Sequence, residues 1–212
     1  ALPICLSTLE LAGLAKLYGR SIAEFFQGSE AAGTDTDLVA LCRVSEEFAS
    51  RPELQQTIKE LLSVCREGAS LEQILKRPVR KGPPSYSLGD PKSQSEAVVH
   101  GLAIAAEERK RMDLGDAPIP DIAELIACEG IWAASSRLPN EMSGFFLRDA
   151  TVGLAVIVNE SHPTARKRFS YAHEYAHALF DREHTVTVTT KQNSKDLIER
   201  RANAFAAAFL MP

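Results

Sequence analysis

The sequence lacks a disulfide framework, a long apolar run and an excess of positive charge. Its cysteines are far apart and form no C-x-x-C pair, which predicts buried free thiols; they are Cys5, Cys42, Cys65 and Cys128. No apolar run approaches the roughly 18 to 20 residues that span a bilayer. The formal net charge of −4 gives the chain as a whole no electrostatic reason to bind nucleic acid. Together these features predict a cytoplasmic protein.

What is present is the composition of an ordinary globular protein, with 45% hydrophobic and 25% charged residues in 212. This length suits one large domain or two modest ones. The sequence begins at Ala1 without an initiator methionine. We therefore expect a fragment or a processed product, in which a missing signal peptide carries little weight.

Four segments are predicted along the chain. Residues 1–28 contain two capping-box patterns and predict two short helices. Residues 29–76 are predicted to be helical, with Gly68 ending one helix before a short one follows. Residues 77–93 are rich in proline and glycine and predict a linker, whose basic residues are better explained by solvation than by nucleic acid. Residues 94–212 are predicted to form the second domain.

The second domain alternates between helical and strand-like patterns. Helices are predicted at about 95–112, near 119–126, after Pro163 and at about 194–210, with strands at 130–138, 143–148 and 152–159. The fold class is therefore α+β: a helical N-terminal region precedes a small, about three-stranded, mostly antiparallel sheet packed on helices. The strand SGFFLRD is a candidate edge strand on which a substrate can dock, and a core strand is the alternative.

Two histidines lie four residues apart in the stretch RFSYAHEYAHALF, with a glutamate directly after the first. On a helix, His173 and His177 share one face and can offer two imidazole nitrogens to a single ion. Glu174 then lies beside them, in place to act as a general base. The alternative is a pair of core histidines. The two histidines share an apolar face, where an imidazole without a partner is costly, and this favours metal binding.

A catalytic zinc site needs a third protein ligand, and four downstream residues are candidates. Glu183 stands where a longer zinc motif has its third histidine, but that motif also needs a glycine where Phe180 stands. His184 is one residue out of that register, and Asp181 would have to bend back around the ion. Geometry favours Glu199, because a separate helix can approach from the open side. Two imidazoles and a carboxylate suit Zn²⁺, with Mn²⁺ as the alternative.

At these residues the sequence resembles the ImmA/IrrE family of metallopeptidases. The resemblance rests on RFSYAHEYAHALF followed by ERRANAFAAAFLMP, and on LGDAPIPDIAELIACEGI, LPNEMSGFF and IVNESHPTARKRF upstream, so that it covers 95–212. It implies a minimal zincin-like domain with zinc at His173, His177 and Glu199 and with Glu174 as the base. It also implies a helix-turn-helix repressor as substrate, cleaved in a stress-response or mobile-element switch.

The N-terminal stretch LSTLELAGLAKLYGRSIAEFF resembles the last two helices of a Cro/CI-type helix-turn-helix domain. A generic helical hairpin is the alternative. The helix that would read the major groove is absent, so this fragment is not expected to bind DNA specifically, although a full-length parent could.

Several further residues are candidates for supporting roles. Tyr171 and His184 are candidate oxyanion donors, whereas Tyr175 lies on the opposite side of the helix and ranks below them. Asn203 lies one turn beyond Glu199 and is predicted to orient it, or to pack between helices. Two other functions stay open. One is a zincin-fold sensor that binds a partner without turnover, and the other is a DNA-associated transcription regulator with a structural zinc.

Overall fold

The structure, a computed structural model, describes residues 52–182, 186–190 and 196–212. These residues confirm the α+β class. In chain order the elements are α1 (Pro52–Ile74), α2 (Gln94–Arg111), α3 (Ile122–Cys128), β1 (Trp132–Ser136), β2 (Met142–Asp149), β3 (Gly153–Asn159), α4 (Thr164–Phe180), β4 (Val186–Thr190) and α5 (Leu197–Leu210). The two predicted helices of residues 1–28 lie outside the described residues.

The helix α1 runs without a break through Gly68, so the predicted end at this residue is wrong. Tertiary packing explains the difference, because the ring of Trp132 lies where a side chain at Gly68 would project. A Cβ at Gly68 would come within 2.6 Å of that ring. Between α1 and α2 no helix or strand forms, as the proline-rich composition predicts. Arg80 in this stretch contacts Glu72 through two hydrogen bonds and stacks over Trp132.

The strands form one mixed sheet in the order β1-β3-β2-β4. β1 pairs with β3 in parallel, whereas β2 pairs antiparallel with both β3 and β4. The three predicted strands are present, and β4 is an addition to them. The prediction that SGFFLRD is an edge strand is wrong, because β2 has a partner on each side. Its consecutive buried residues, Phe145 to Leu147, fit an interior strand covered on both faces.

The helix α4 packs on β2 and β3 with one side and on α5 with another, and α5 packs mainly on α2. The α2–α5 crossing is close because α2 has Gly101 at the contact. A Cβ at Gly101 would lie 2.5 Å from the carbonyl oxygen of Arg201. The rings of Phe205 and Phe209 on α5 stack 5.1 Å apart and contact Tyr175 of α4. The core therefore fixes α5 against α4, which positions the residues described below.

A buried polar network joins α2 to α4 on the side of α4 that carries Tyr175. Glu108 has no exposed surface and accepts hydrogen bonds from Tyr86 (2.7 Å), Tyr175 (2.6 Å) and Arg111 (2.7 Å). Arg111 also contacts Glu129 at 2.5 Å. Burial raises the pKa of Glu108, but the hydrogen bonds from Arg111 and the two tyrosines outweigh it and hold the pKa below its usual value of 4.5.

Two cysteines are described, and both are free thiols. Cys65 is buried as predicted, and burial raises the pKa of its thiol. Cys128 is exposed at the end of α3, so the prediction that it is buried is wrong. Among the helices of the described ranges, none is long and apolar enough to cross a membrane.

Candidate metal centre

Two helices bring three candidate ligand side chains together in the interior of the protein. α4 begins after Pro163, and every residue from Ser170 to Phe180 is buried, including His173 and His177. α5 begins after Asp196, whose side chain caps its first turn, and carries Glu199, which is 3% exposed. Candidate ligand atoms of His173, His177 and Glu199 all lie within 4.8 Å of one another.

The distances between these atoms match those around a small divalent ion. Nε2 of His173 lies 3.2 Å from Nε2 of His177 and 3.2 Å from Oε2 of Glu199. Nε2 of His177 lies 3.5 Å from Oε1 of Glu199. Ligands at 2.0–2.1 Å from a tetrahedral ion are about 3.3 Å apart. The two histidine nitrogens have this spacing, and each has one oxygen of Glu199 at a similar distance. The three side chains therefore suit a small divalent ion, with a further position for water or substrate.

Each histidine has its other ring nitrogen bound by a side chain. Nδ1 of His173 lies 3.0 Å from Oδ1 of Asn203, and Nδ1 of His177 lies 2.8 Å from Oδ2 of Asp181. A proton on Nδ1 satisfies both contacts and leaves Nε2 with a free lone pair directed at the site. Oδ1 of Asp181 in turn accepts a hydrogen bond of 2.5 Å from Arg201.

The buried charged side chains around the site carry a net negative charge, which favours the binding of a cation. Glu174, Glu199 and Asp181 are all buried, and Arg201 is the buried guanidinium beside them. With neutral histidines their formal charges sum to two negative, which a divalent ion would balance.

Burial lowers the pKa of His177, but its hydrogen bond to Asp181 and the nearby carboxylates, Glu199 first, outweigh burial and raise the pKa to about 9. A proton and a metal ion would therefore compete for the imidazole of His177, and metal binding there would release a proton.

Glu174 is fully buried, and its charge contributes to the raised pKa of His177. It lies against β2 at Gly144, where a Cβ would come within 3.1 Å of Oε1 of Glu174. At this point the β2–β4 register shifts, between Met142 and Gly144. Such irregularities are common beside active sites, where they redirect a strand. The missing side chain at residue 144 therefore leaves the room that the Glu174 carboxylate occupies.

The residues considered for supporting roles make contacts of their own in the structure. The Tyr171 hydroxyl bonds to Ser135, and the residue lies two positions before His173, on another side of α4. The Tyr175 hydroxyl donates to Glu108, which is consistent with its low rank as an oxyanion donor. Asn203 does support a candidate ligand, but that ligand is His173, whereas the prediction placed it beside Glu199.

Two of the residues considered as a third ligand fall outside the described part of the chain, namely Glu183 and His184. Asp181 contacts Nδ1 of His177, on the side of the ring away from the ligand atoms. Sequence reasoning missed Arg201, for which the only signal is its position two residues after Glu199.

Residues 126–212 match the model of a peptidase family described as the IrrE N-terminal-like domain. The match includes β1 to β4, α4 and α5, and thus all three candidate ligand residues. It supports the resemblance to the ImmA/IrrE family. It begins after α2, so it does not cover the whole of the predicted second domain. No curated protein matches the chain.

Proposed function

We propose that the chain is a zinc-dependent endopeptidase that hydrolyses a peptide bond in a regulatory protein. The observation that carries this proposal is the buried trio His173, His177 and Glu199, whose candidate ligand atoms all lie within 4.8 Å of one another. The match to a peptidase family over the same residues agrees with it. The same donor set would also accept Mn²⁺.

In the proposed mechanism the protein's own residues hold, orient and protonate the reactants. His173, His177 and Glu199 would hold the ion, which when bound supplies a Lewis acid for the scissile carbonyl and an acidified water. Glu174 accepts the proton of the attacking water and later delivers it to the leaving amine. The buried position of its carboxylate keeps bulk solvent from competing for that proton.

We further propose that the substrate is a helix-turn-helix transcriptional repressor, cleaved in a stress-response or mobile-element switch. Two similarities support this, namely that of residues 126–212 to the IrrE N-terminal-like domain and that of the N-terminal stretch to a helix-turn-helix domain. Such a substrate would place the protein in the cytoplasm. A non-hydrolysing sensor that binds the same repressor is the alternative to be separated by experiment.

Metal removal tests the proposed function directly. The purified chain is expected to contain stoichiometric zinc, to cleave a co-purified candidate repressor, and to stop cleaving it after dialysis against a chelator. Adding Zn²⁺ back should restore cleavage, whereas Mg²⁺, which prefers oxygen ligands, should not. A Glu199→Ala variant should lose both the metal and the cleavage, because two imidazoles alone do not complete the site. Cleavage that continues unchanged in the metal-free protein would contradict the proposal.

The contact between Gly144 and Glu174 yields a second prediction. A Gly144→Ala variant places its Cβ 2.8 Å from the carbonyl oxygen of Ile157 and 3.1 Å from Glu174. We expect a loss of about 1–3 kcal/mol in the free energy of unfolding, as for other overpacked sites. We also expect peptide hydrolysis to fall while the zinc content is kept, because the ligands lie elsewhere.

The matched control for this prediction is Gly89→Ala, whose added Cβ meets no atom within 4 Å. Urea unfolding and zinc analysis of both variants separate an effect on the fold from one on the base. A Gly144→Ala variant as active and as stable as the control would contradict the close approach of β2 to Glu174.

A further inference from the structure

The helix α5 supplies more to the metal centre than the ligand Glu199. Asn203 of α5 contacts Nδ1 of His173 directly. Nδ1 of His177 is bound instead by Asp181, the residue that follows α4, and Asp181 is bound by Arg201 of α5. The Nδ1 atoms of both histidines are thus bound by residues of α5, directly for His173 and through Asp181 for His177.

Arg201 is among the most deeply buried side chains of the described residues, with 1% of its surface exposed. Its guanidinium donates to Asp181 at 2.5 Å and to the carbonyl of Gly89 at 3.4 Å, and it lies over the ring of Phe180 at 5.0 Å. Gly101 of α2 packs against the backbone of the same residue. The guanidinium is therefore fixed on several sides, and so is the carboxylate that it binds.

We propose that Asp181 and Arg201 form a positioning pair that holds His177 with its Nε2 directed at the metal. Oδ2 of Asp181 accepts a hydrogen bond from the Nδ1–H of His177, and Oδ1 of the same carboxylate accepts one from Arg201. Fixing both oxygens leaves the carboxylate, and with it the imidazole ring, a single orientation. The inference rests on the proposed metal centre, and it adds two residues that do not touch the ion to the set that determines its affinity.

Two other roles for the pair predict different results. A purely structural ion pair would affect stability and leave the metal affinity of the folded protein unchanged. A purely electrostatic role would depend on net charge. Loss of Arg201 alone would then tighten the binding of a dication, because a positive charge near the ion is removed. A positioning role predicts weaker metal binding both when Arg201 alone is replaced and when Asp181 and Arg201 are replaced together. The direction of the change in metal affinity therefore distinguishes the three roles.

The main test is a double variant, Asp181→Leu/Arg201→Met, which removes one negative and one positive charge together. Apolar replacement of a buried ion pair is often neutral for stability, so we expect the variant to fold. Its affinities for Zn²⁺ and Co²⁺, measured by competition with a chromophoric chelator, should fall about 10–100-fold. The visible spectrum of the Co²⁺ form should also change, because the His177 ring no longer has a fixed orientation. Affinities and a Co²⁺ spectrum equal to those of the wild type would overturn the inference.

A second variant, Arg201→Met, provides an independent reading if the double variant does not fold. We expect weaker Zn²⁺ binding than in the wild type, and tighter or equal binding would overturn the inference. The matched control is Arg200→Met, since Arg200 is an exposed neighbour that contacts Gln94 at 2.9 Å. Its metal affinity should stay at the wild-type value. A wild-type chain that binds neither Zn²⁺ nor Co²⁺ would overturn the proposed function itself, which separates that failure from failure of the positioning pair.

Discussion

A Glu174→Gln variant is expected to keep its zinc and to lose peptide hydrolysis by about 10²–10⁴-fold, the usual contribution of a general base. Glutamine has nearly the same shape, so it fits the space against Gly144, but its amide does not accept the proton of the attacking water. The ligands His173, His177 and Glu199 are unchanged, so zinc measured by elemental analysis should stay stoichiometric. Single-turnover cleavage of the repressor, followed by mass spectrometry, measures the loss of rate.

The control for this variant is Glu160→Gln, which removes a carboxylate at an exposed position after β3. Its rate should equal that of the wild type. Cleavage by Glu174→Gln at the wild-type rate would mean that another group is the base. The same variant also separates the two proposed functions in cells. If derepression of the target genes persists without cleavage, the chain acts as a sensor that binds its partner without turnover.

A Glu108→Ala variant is expected to lose about 3–5 kcal/mol in the free energy of unfolding, because it breaks a buried charge network. Three residues donate to this carboxylate, and its loss would leave the hydroxyls of the half-buried Tyr86 and the fully buried Tyr175 without their acceptor. Arg111 keeps its contact with Glu129, which limits the loss. Urea unfolding monitored by circular dichroism measures the effect. Glu107→Ala, at an exposed neighbouring position, is the control and should change stability little.

The pH dependence of stability gives a second measurement on the same network. Because the pKa of Glu108 lies below its unfolded value of 4.5, the network stabilises the fold fully above that pH. This stabilisation is lost as the pH falls through the folded pKa. A Glu108→Gln variant should therefore lose less stability on acidification than the wild type. Equal losses in the two proteins would show that Glu108 does not titrate with unfolding.

The three candidate metal ligands could be predicted from the sequence because their geometry is local or simple. His173 and His177 are four residues apart on one helix, so their shared face follows from helix periodicity alone. Glu199 follows from the need for a third ligand on a helix able to cross α4. The α+β class and the three predicted strands are accessible for a similar reason, since each has a clear apolar pattern.

The supporting contacts are not accessible from the sequence, because they depend on how helices are placed in space. Arg200 and Arg201 are adjacent and chemically identical, yet one is exposed and the other is buried against Asp181. Asp181 lies four residues after His177, which makes it a candidate ligand on spacing alone. Only the structure shows that it contacts Nδ1 of the ring and not the ligand side. The edge prediction for β2 fails because its outer neighbour β4 is not among the strands predicted from the sequence.

The crossing of α2 and α5 joins parts of the chain that are far apart in sequence. Arg109 of α2 donates to the carbonyl of Phe209, 100 residues later. Closing a loop of this length costs chain entropy, which the contacts between the two helices offset. Because Glu199 is on α5, an ion bound by all three ligands would bind only the docked state. By mass action, an ion at about 100 times its dissociation constant would add about 2.7 kcal/mol to that state. The fraction of chains that are fully folded would then rise with the concentration of free metal ion.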